Sequence, residues 1–239
     1  MKKLMLGVVA LAAGAAMAIE SENVVGYSQT PTCGGYSIGT VQFINVSGAT
    51  TFALNTVKPI GDGVSDCIYA STIDEEGYTA DTYAWVEWSE EETGWVNDSM
   101  EFIDDSVEFD AGTAFWIQND VGEEVGLQSA GAVNEEDANI PVSAGYSMVG
   151  NPYPTDVKMV DILIQGEGVG DCVYISTIDE EGYTANTYAW VEWSEEETGW
   201  VNDDMEFVDE SVVIAPGAAF WTQCDVESGA ELYIPAPEL

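Results

Sequence analysis

The side chains that could do chemistry in this chain are carboxylates, thiols and aromatic rings. Among 239 residues there are 44 Asp and Glu, no His, and only four basic residues: Lys2, Lys3, Lys58 and Lys158. Carboxylates crowd into the turns Asp74-Glu75-Glu76-Gly77 and Glu90-Glu91-Glu92, and again into Asp179-Glu180-Glu181-Gly182 and Glu195-Glu196-Glu197. Calcium takes roughly six to eight oxygen ligands, which loops of this kind can supply. Asp74, Glu75, Glu76, Asp179, Glu180 and Glu181 are therefore the candidate Ca2+ ligands. None of these turns carries the spaced D-x-D-x-D-G pattern, so the competing reading is a solvated acidic face. Glu87 with Glu101, and Glu192 with Glu206, would face each other if their segments form hairpins, as a glycosidase pair must. No Arg or His stands by to clamp a substrate, and the expectation is a protein that is not an enzyme.

The rings offer a second chemistry. Trp95 and Trp200 are candidates for stacking on a surface glycan. In an extended strand Tyr83 and Trp85 share one face while Trp88 falls on the other, and one of those faces must be core. Trp116 and Trp221 lie in fully apolar runs and are expected in the core. The thiols are Cys33, Cys67, Cys172 and Cys224.

Charge removes whole classes of function. The formal net charge is −40. Sequence-independent binding of nucleic acid depends on Lys and Arg displacing counterions, so a nucleic-acid partner is excluded. An anionic membrane is excluded for the same reason. Without His there is no imidazole base or ligand. Yet 46% of residues are apolar and 11% aromatic, well above the composition of a disordered acidic tail.

Residues 1–18 read as a secretory signal: Lys2 and Lys3, an apolar run from Leu4 to Gly14, then Ala16-Met17-Ala18 as a cleavage site. The run falls short of the roughly 20 residues that span a bilayer. The expected product is secreted or displayed at the cell surface. In that oxidising setting four cysteines predict two disulfides.

The elements that must position these groups come twice. Asp66–Asp105 and Asp171–Glu210, at a constant offset of 105, differ at only six of 40 positions: Ile68/Val173, Ala70/Ile175, Asp81/Asn186, Ser99/Asp204, Ile103/Val208 and Asp105/Glu210. Upstream, Gly35-Tyr36-Ser37 matches Gly145-Tyr146-Ser147 at offset 110. Two repeats follow, 33–130 and 143–239, with a linker at 131–142. Within each, short β-branched and aromatic runs separated by Gly- and Asp-rich turns predict strands: Asp66–Ile73, Thr82–Trp88, Trp95–Phe102 and Thr113–Asn119. Asp156–Ile164 has room for one short helical turn. The fold class is all-β, two tandem β-sandwich domains from an internal duplication. The repeat pairs Cys33 with Cys67 and Cys172 with Cys224. The alternative, Cys67–Cys172 with Cys33–Cys224, would clamp the two domains together.

Residues 19–32 form an N-terminal arm. Its Asn23-Val24-Val25-Gly26-Tyr27 reads as an extended strand that either completes the first domain's sheet or adds to an open edge on the next molecule. The second arrangement would build an open-ended polymer.

The stretch Gly145-Tyr146-Ser147-Met148-Val149-Gly150-Asn151-Pro152-Tyr153-Pro154 resembles the "G-aromatic-N-L-V-G-N-P-Y-P" opening motif of secreted bacterial surface β-domain proteins, many from Bacteroidetes and similar environmental bacteria. Val173-Tyr174, Tyr188-Ala189-Trp190 and Pro216-Gly217-Ala218-Ala219-Phe220-Trp221 look like the later strands of that group. The first repeat departs from it, lacking Asn-Pro-Tyr-Pro. The resemblance implies a surface or structural β-module and brings no catalytic residues. The expectation is an exported, non-enzymatic structural protein that associates with copies of itself into a filament, sheath or layer by strand addition. The alternative is an adhesion module that binds surface glycans or calcium.

Overall fold

Alternation of apolar and polar residues dictates strands almost everywhere, and strands are what form. The computed structural model describes residues 25–32, 34–45, 50–123, 125–178 and 183–237, with the backbone alone for 25–31. Residues 1–18, read above as a secretory signal, lie outside them, as do Asn23 and Val24. The protein is all-β. Among the described residues every strand pair is antiparallel, and two single-turn 3-10 helices interrupt the strands. One of these, Met159–Asp161, is the short turn expected within Asp156–Ile164.

Each repeat carries a five-stranded sheet of the same order. In the first the order is Gly35–Thr40, Ala114–Asn119, Ile68–Ile73, Thr79–Glu87, Thr93–Val96. In the second it is Gly145–Gly150, Ala219–Cys224, Val173–Ile178, Thr184–Ser194, Glu197–Val201. A smaller sheet covers the inner face of each. Val125–Val133 is the centre of the first, flanked by Val25–Thr32 on one side and by Phe43–Ile44 and Lys58–Ile60 on the other. Ala230–Ile234 is the centre of the second, between Ala138–Val142 and Leu163–Gln165. The result is sandwich-like, with one core between the layers of each repeat.

Two expectations change here. The arm is a strand of its own chain, in register from Val25 opposite Ala132 to Thr32 opposite Val125. Val25, Gly26 and Tyr27 are therefore already paired, and a free arm does not exist over these residues. Part of the linker is likewise a strand, with Ala138 opposite Ile234 and Val142 opposite Ala230. The two elements are counterparts at offset 110. They carry equivalent prolines, Pro31 and Pro141, which lack the N–H that a further strand would need. Both are edge strands blunted in this way.

The cores are assembled from the inward residues. Ile68 and Ala70 are buried in the first repeat, and Val173 and Ile175 take their places in the second. Trp95 and Trp200 are 1% and 2% exposed, each edge-on to a second tryptophan: Trp85 at 5.6 Å and Trp190 at 5.4 Å. A buried indole needs an acceptor. Trp95 Nε1 donates to the Val57 carbonyl and Trp200 Nε1 to that of Ile162, both at 2.8 Å. These two rings are core, and the expected glycan-stacking role for them is withdrawn.

Candidate functional site

Two surfaces combine unusual composition with exposure or symmetry. The first is the seam between the repeats. The outer faces of the two five-stranded sheets meet through Ile38, Ala114 and Met148, with Ile73, Trp116, Ile178, Ala219 and Trp221 packed against them. These are four matched pairs across the repeat: Ile38/Met148, Ala114/Ala219, Trp116/Trp221 and Ile73/Ile178. The backbone contacts are reciprocal as well. Thr40 N–H donates to the Gly217 carbonyl at 3.1 Å, and the equivalent Gly150 N–H donates to the equivalent Gly112 carbonyl at 2.9 Å. Gly39 bridges Ala218 as Val149 bridges Thr113. A contact in which i meets j and j meets i is the signature of a two-fold interface. Trp116 and Trp221, expected in the core, are half-buried here instead.

The second surface is the end of each long hairpin. Thr79–Glu87 pairs with Thr93–Val96, placing Trp85 opposite Trp95. Trp88 lies one step beyond, on the other face, 46% exposed. The chain then turns: Met100 N–H donates to the Asn97 carbonyl, and the Asn97 carboxamide accepts the Ser99 and Glu101 N–H groups. The segment expected as a strand from Trp95 to Phe102 is broken by this turn. It brings Phe102 back onto Trp88, with ring centroids 5.3 Å apart and planes at 69°. The second repeat reproduces the pair as Trp193 and Phe207, at 5.5 Å and 68°. The residue alternation placed Trp88 opposite Trp85. What hid the Phe102 partner was the Asn97 turn, whose Asn-Asp-x-Met-Glu sequence was its only signal.

The acidic turns are placed unequally. Asp74 Oδ1 accepts the Glu76 and Tyr78 N–H groups at 3.1 and 2.8 Å, which consumes it in shaping its own turn. The Glu75 carbonyl accepts the Tyr146 N–H of the other repeat at 2.9 Å, so this turn is a contact across the seam. Asp179, Glu180 and Glu181 lie outside the described residues. Among the described residues no three carboxylates or thiols gather as a metal site would require. Glu87 stands opposite Thr93, not Glu101, and its Oε1 accepts the Trp85 indole N–H at 3.1 Å. Glu192 does the same for Trp190 at 3.2 Å.

Among the described residues Cys67, Cys172 and Cys224 form no disulfide with one another, and Cys33, the expected partner of Cys67, lies outside them. The expected Cys172–Cys224 bridge fails on strand geometry. Cys224 stands opposite Val173, and both side chains point into the core. Cys172, one residue earlier, is directed away, because successive side chains alternate. The first repeat puts Asn119 where the second has Cys224. Its carboxamide donates to the Thr32 and Glu123 carbonyls, a polar version of the same packing.

The Asn-Pro-Tyr-Pro motif is structural. Asn151 Nδ2 donates to the Thr155 and Ile214 carbonyls, and its Oδ1 accepts the Tyr153 N–H. The Tyr153 hydroxyl lies 2.8 Å from the Glu136 carbonyl and 3.0 Å from that of Ile234, and burial pushes its pKa well above the usual phenol value. Asp137 accepts the Ala236 N–H and the Tyr233 hydroxyl, fastening the segment between the repeats to the second repeat. Beside it a cleft of about 430 Å³ opens where the repeats meet, lined in part by Asp110, Asn134, Glu136 and Ser147.

Compared with protein-family models, with curated proteins and with solved structures, the chain finds no match.

Proposed function

We propose that this chain is an exported, non-enzymatic structural protein of the cell surface that associates with copies of itself. The observation that supports this reading is the reciprocal seam. One outer sheet face meets its own counterpart through matched residues, so the surface of a repeat is complementary to another repeat. A molecule made of two such units has the raw material for larger symmetric assembly. Because Val25–Thr32 and the seam faces are both satisfied within the chain, association by this reading exchanges repeats between molecules at the seam and uses no spare arm. The charge of −40 acts against it, since like charges on neighbouring copies repel until salt or divalent ions screen them. Calcium enters in that role, as a screening ion.

The direct test is negative-stain electron microscopy of the purified mature protein, with and without millimolar calcium. Regular filaments or sheets support the proposal, and calcium dependence assigns the screening role. Single particles under both conditions, with a monomer mass by light scattering at high concentration, overturn it.

A second reading, adhesion to surface glycans, is favoured by one observation: the exposed Trp88–Phe102 and Trp193–Phe207 pairs. In this reading they replace Trp95 and Trp200 as the stacking rings, and a glycan array with the intact protein tests it.

A further inference from the structure

The two aromatic pairs at the hairpin ends are large apolar groups left in water, and they are left there twice. Trp88 and Phe102 are 46% and 42% exposed, and Trp193 and Phe207 are 45% and 43%. Neither ring is needed by the core, which Trp85 and Trp95 fill from the opposite face. Each pair is nonetheless fixed. Phe102 lies over Gly94 and against Trp88, with backbone bonds of the Asn97 turn behind it, and Phe207 lies over Gly199 in the same way. A surface already ordered loses little conformational entropy when something docks on it.

The surroundings select the sign of what docks. The neighbouring turns expose Glu90, Glu91, Glu92, Asp98 and Glu101, and no basic residue lies in either turn. An aromatic face attracts a cation through its quadrupole, and nearby carboxylates reinforce the same preference. A neutral sugar would gain the stacking but nothing from the field of a chain at −40.

The chain is poor in cations of its own, and Lys58 is the single exposed lysine among the described residues that no ion pair occupies. After Lys3 it has only Lys58 and Lys158, and Lys158 is engaged with Glu210 at 2.7 Å, so one lysine would have to serve two ring pairs. We propose that each hairpin end is a docking site for a lysine-bearing segment of a different, basic partner protein, with the lysine ammonium on the Trp88–Phe102 or Trp193–Phe207 rings. This inference is independent of self-association.

The test uses the full mature chain and a short lysine homopeptide, titrated by calorimetry at low and moderate salt. A glutamate homopeptide and a neutral β-linked glucose oligosaccharide serve as the other arms. The double variant Trp88→Leu/Trp193→Leu is compared with wild type, and Phe102→Leu/Phe207→Leu provides a second route should the first fold poorly. Matching melting temperatures show that the fold is intact. Because an exposed cation–π contact is worth roughly two- to five-fold in affinity, each lost end should weaken lysine-peptide binding by about that factor. The glutamate peptide and the oligosaccharide should not bind. Equal lysine-peptide affinity in wild type and both ring variants would overturn the proposal, leaving only diffuse attraction to the acidic surface. Oligosaccharide binding that the ring variants abolish would also overturn it, in favour of the glycan reading.

Discussion

Trp116 and Trp221, 105 positions apart and equivalent in the two repeats, face each other across the seam with ring centroids 6.1 Å apart and planes at 59°. Each is flanked by the first tyrosine of its own repeat, Tyr36 at 5.6 Å and Tyr146 at 6.3 Å. A residue packed against its own counterpart lies close to the symmetry axis, and so these rings mark where the repeats are coupled. Cores that are otherwise separate communicate through this patch and the four-residue segment 134–137.

Trp221→Ala should therefore uncouple the repeats more than it unfolds either. The expected cost is smaller than the roughly 3–5 kcal/mol of removing a fully buried ring, because this one is half-buried. Scanning calorimetry should show one transition for wild type and two for the variant. A single transition merely shifted downward would show that the coupling lies elsewhere.

Trp95→Ala and Trp200→Ala are the contrasting case. Each removes a fully buried indole, a tryptophan–tryptophan contact and a hydrogen bond to a buried carbonyl, Val57 or Ile162. The expected loss is about 3–5 kcal/mol, read by urea denaturation. A variant as stable as wild type would contradict the placement of these rings in the core.

What the sequence made legible was the local pattern, and what it concealed was long-range pairing. Ile68, Ala70 and their counterparts announced buried strand faces through period-two alternation. Trp88 could be set opposite Trp85 by the same rule. Alternation cannot say, however, which of two faces a tryptophan fills: Trp95, a candidate for an exposed ring, is core, and Trp116, expected in the core, is half-buried. Trp95 is core because Val57, 38 residues upstream, offers its carbonyl. Trp116 is half-buried because its partner lies in the other repeat. The arm and the linker looked unlike each other, yet Pro31 and Pro141 stand at equivalent positions of equivalent strands. Cysteine counting suggested a Cys172–Cys224 bridge that strand alternation forbids.

Gly145 and Gly63 test the acidic turn's place at the seam. Both have positive φ, 92° and 74°, so alanine at either is strained by about 1–3 kcal/mol. A Cβ at Gly63 would meet nothing, whereas one at Gly145 would overlap the Glu75 carbonyl oxygen. Gly145→Ala should consequently lose clearly more stability than Gly63→Ala in parallel urea titrations. Equal losses would mean that the turn yields without cost.

Asp137 makes the pH behaviour of the connecting segment testable. The Ala236 N–H, and after it the Tyr233 hydroxyl, hold its carboxyl below the usual carboxylate range. A pKa lowered in the folded state contributes stability that is present above the ordinary carboxylate value and is lost as pH falls through the folded one. Wild type should exceed Asp137→Asn in urea midpoint at neutral pH, and the gap should close in strongly acidic solution. A gap that persists unchanged at low pH would rule out ionisation as its source.

Removing residues 19–32 distinguishes an arm from a strand. An arm that serves only a neighbour could be deleted without harm to the monomer. Val25–Thr32 instead covers one side of Val125–Val133 along eight residue pairs, and the Thr32 hydroxyl donates to the Val125 carbonyl. Deletion strips backbone partners from a central strand and turns it into an unblunted edge, because Pro31 goes with it. The truncated protein should lose stability in the first repeat, visible in calorimetry as a transition below that of wild type, and should aggregate without order. If it were instead a monomer as stable as wild type, the strand would be dispensable to its own sheet and its role would have to lie between molecules.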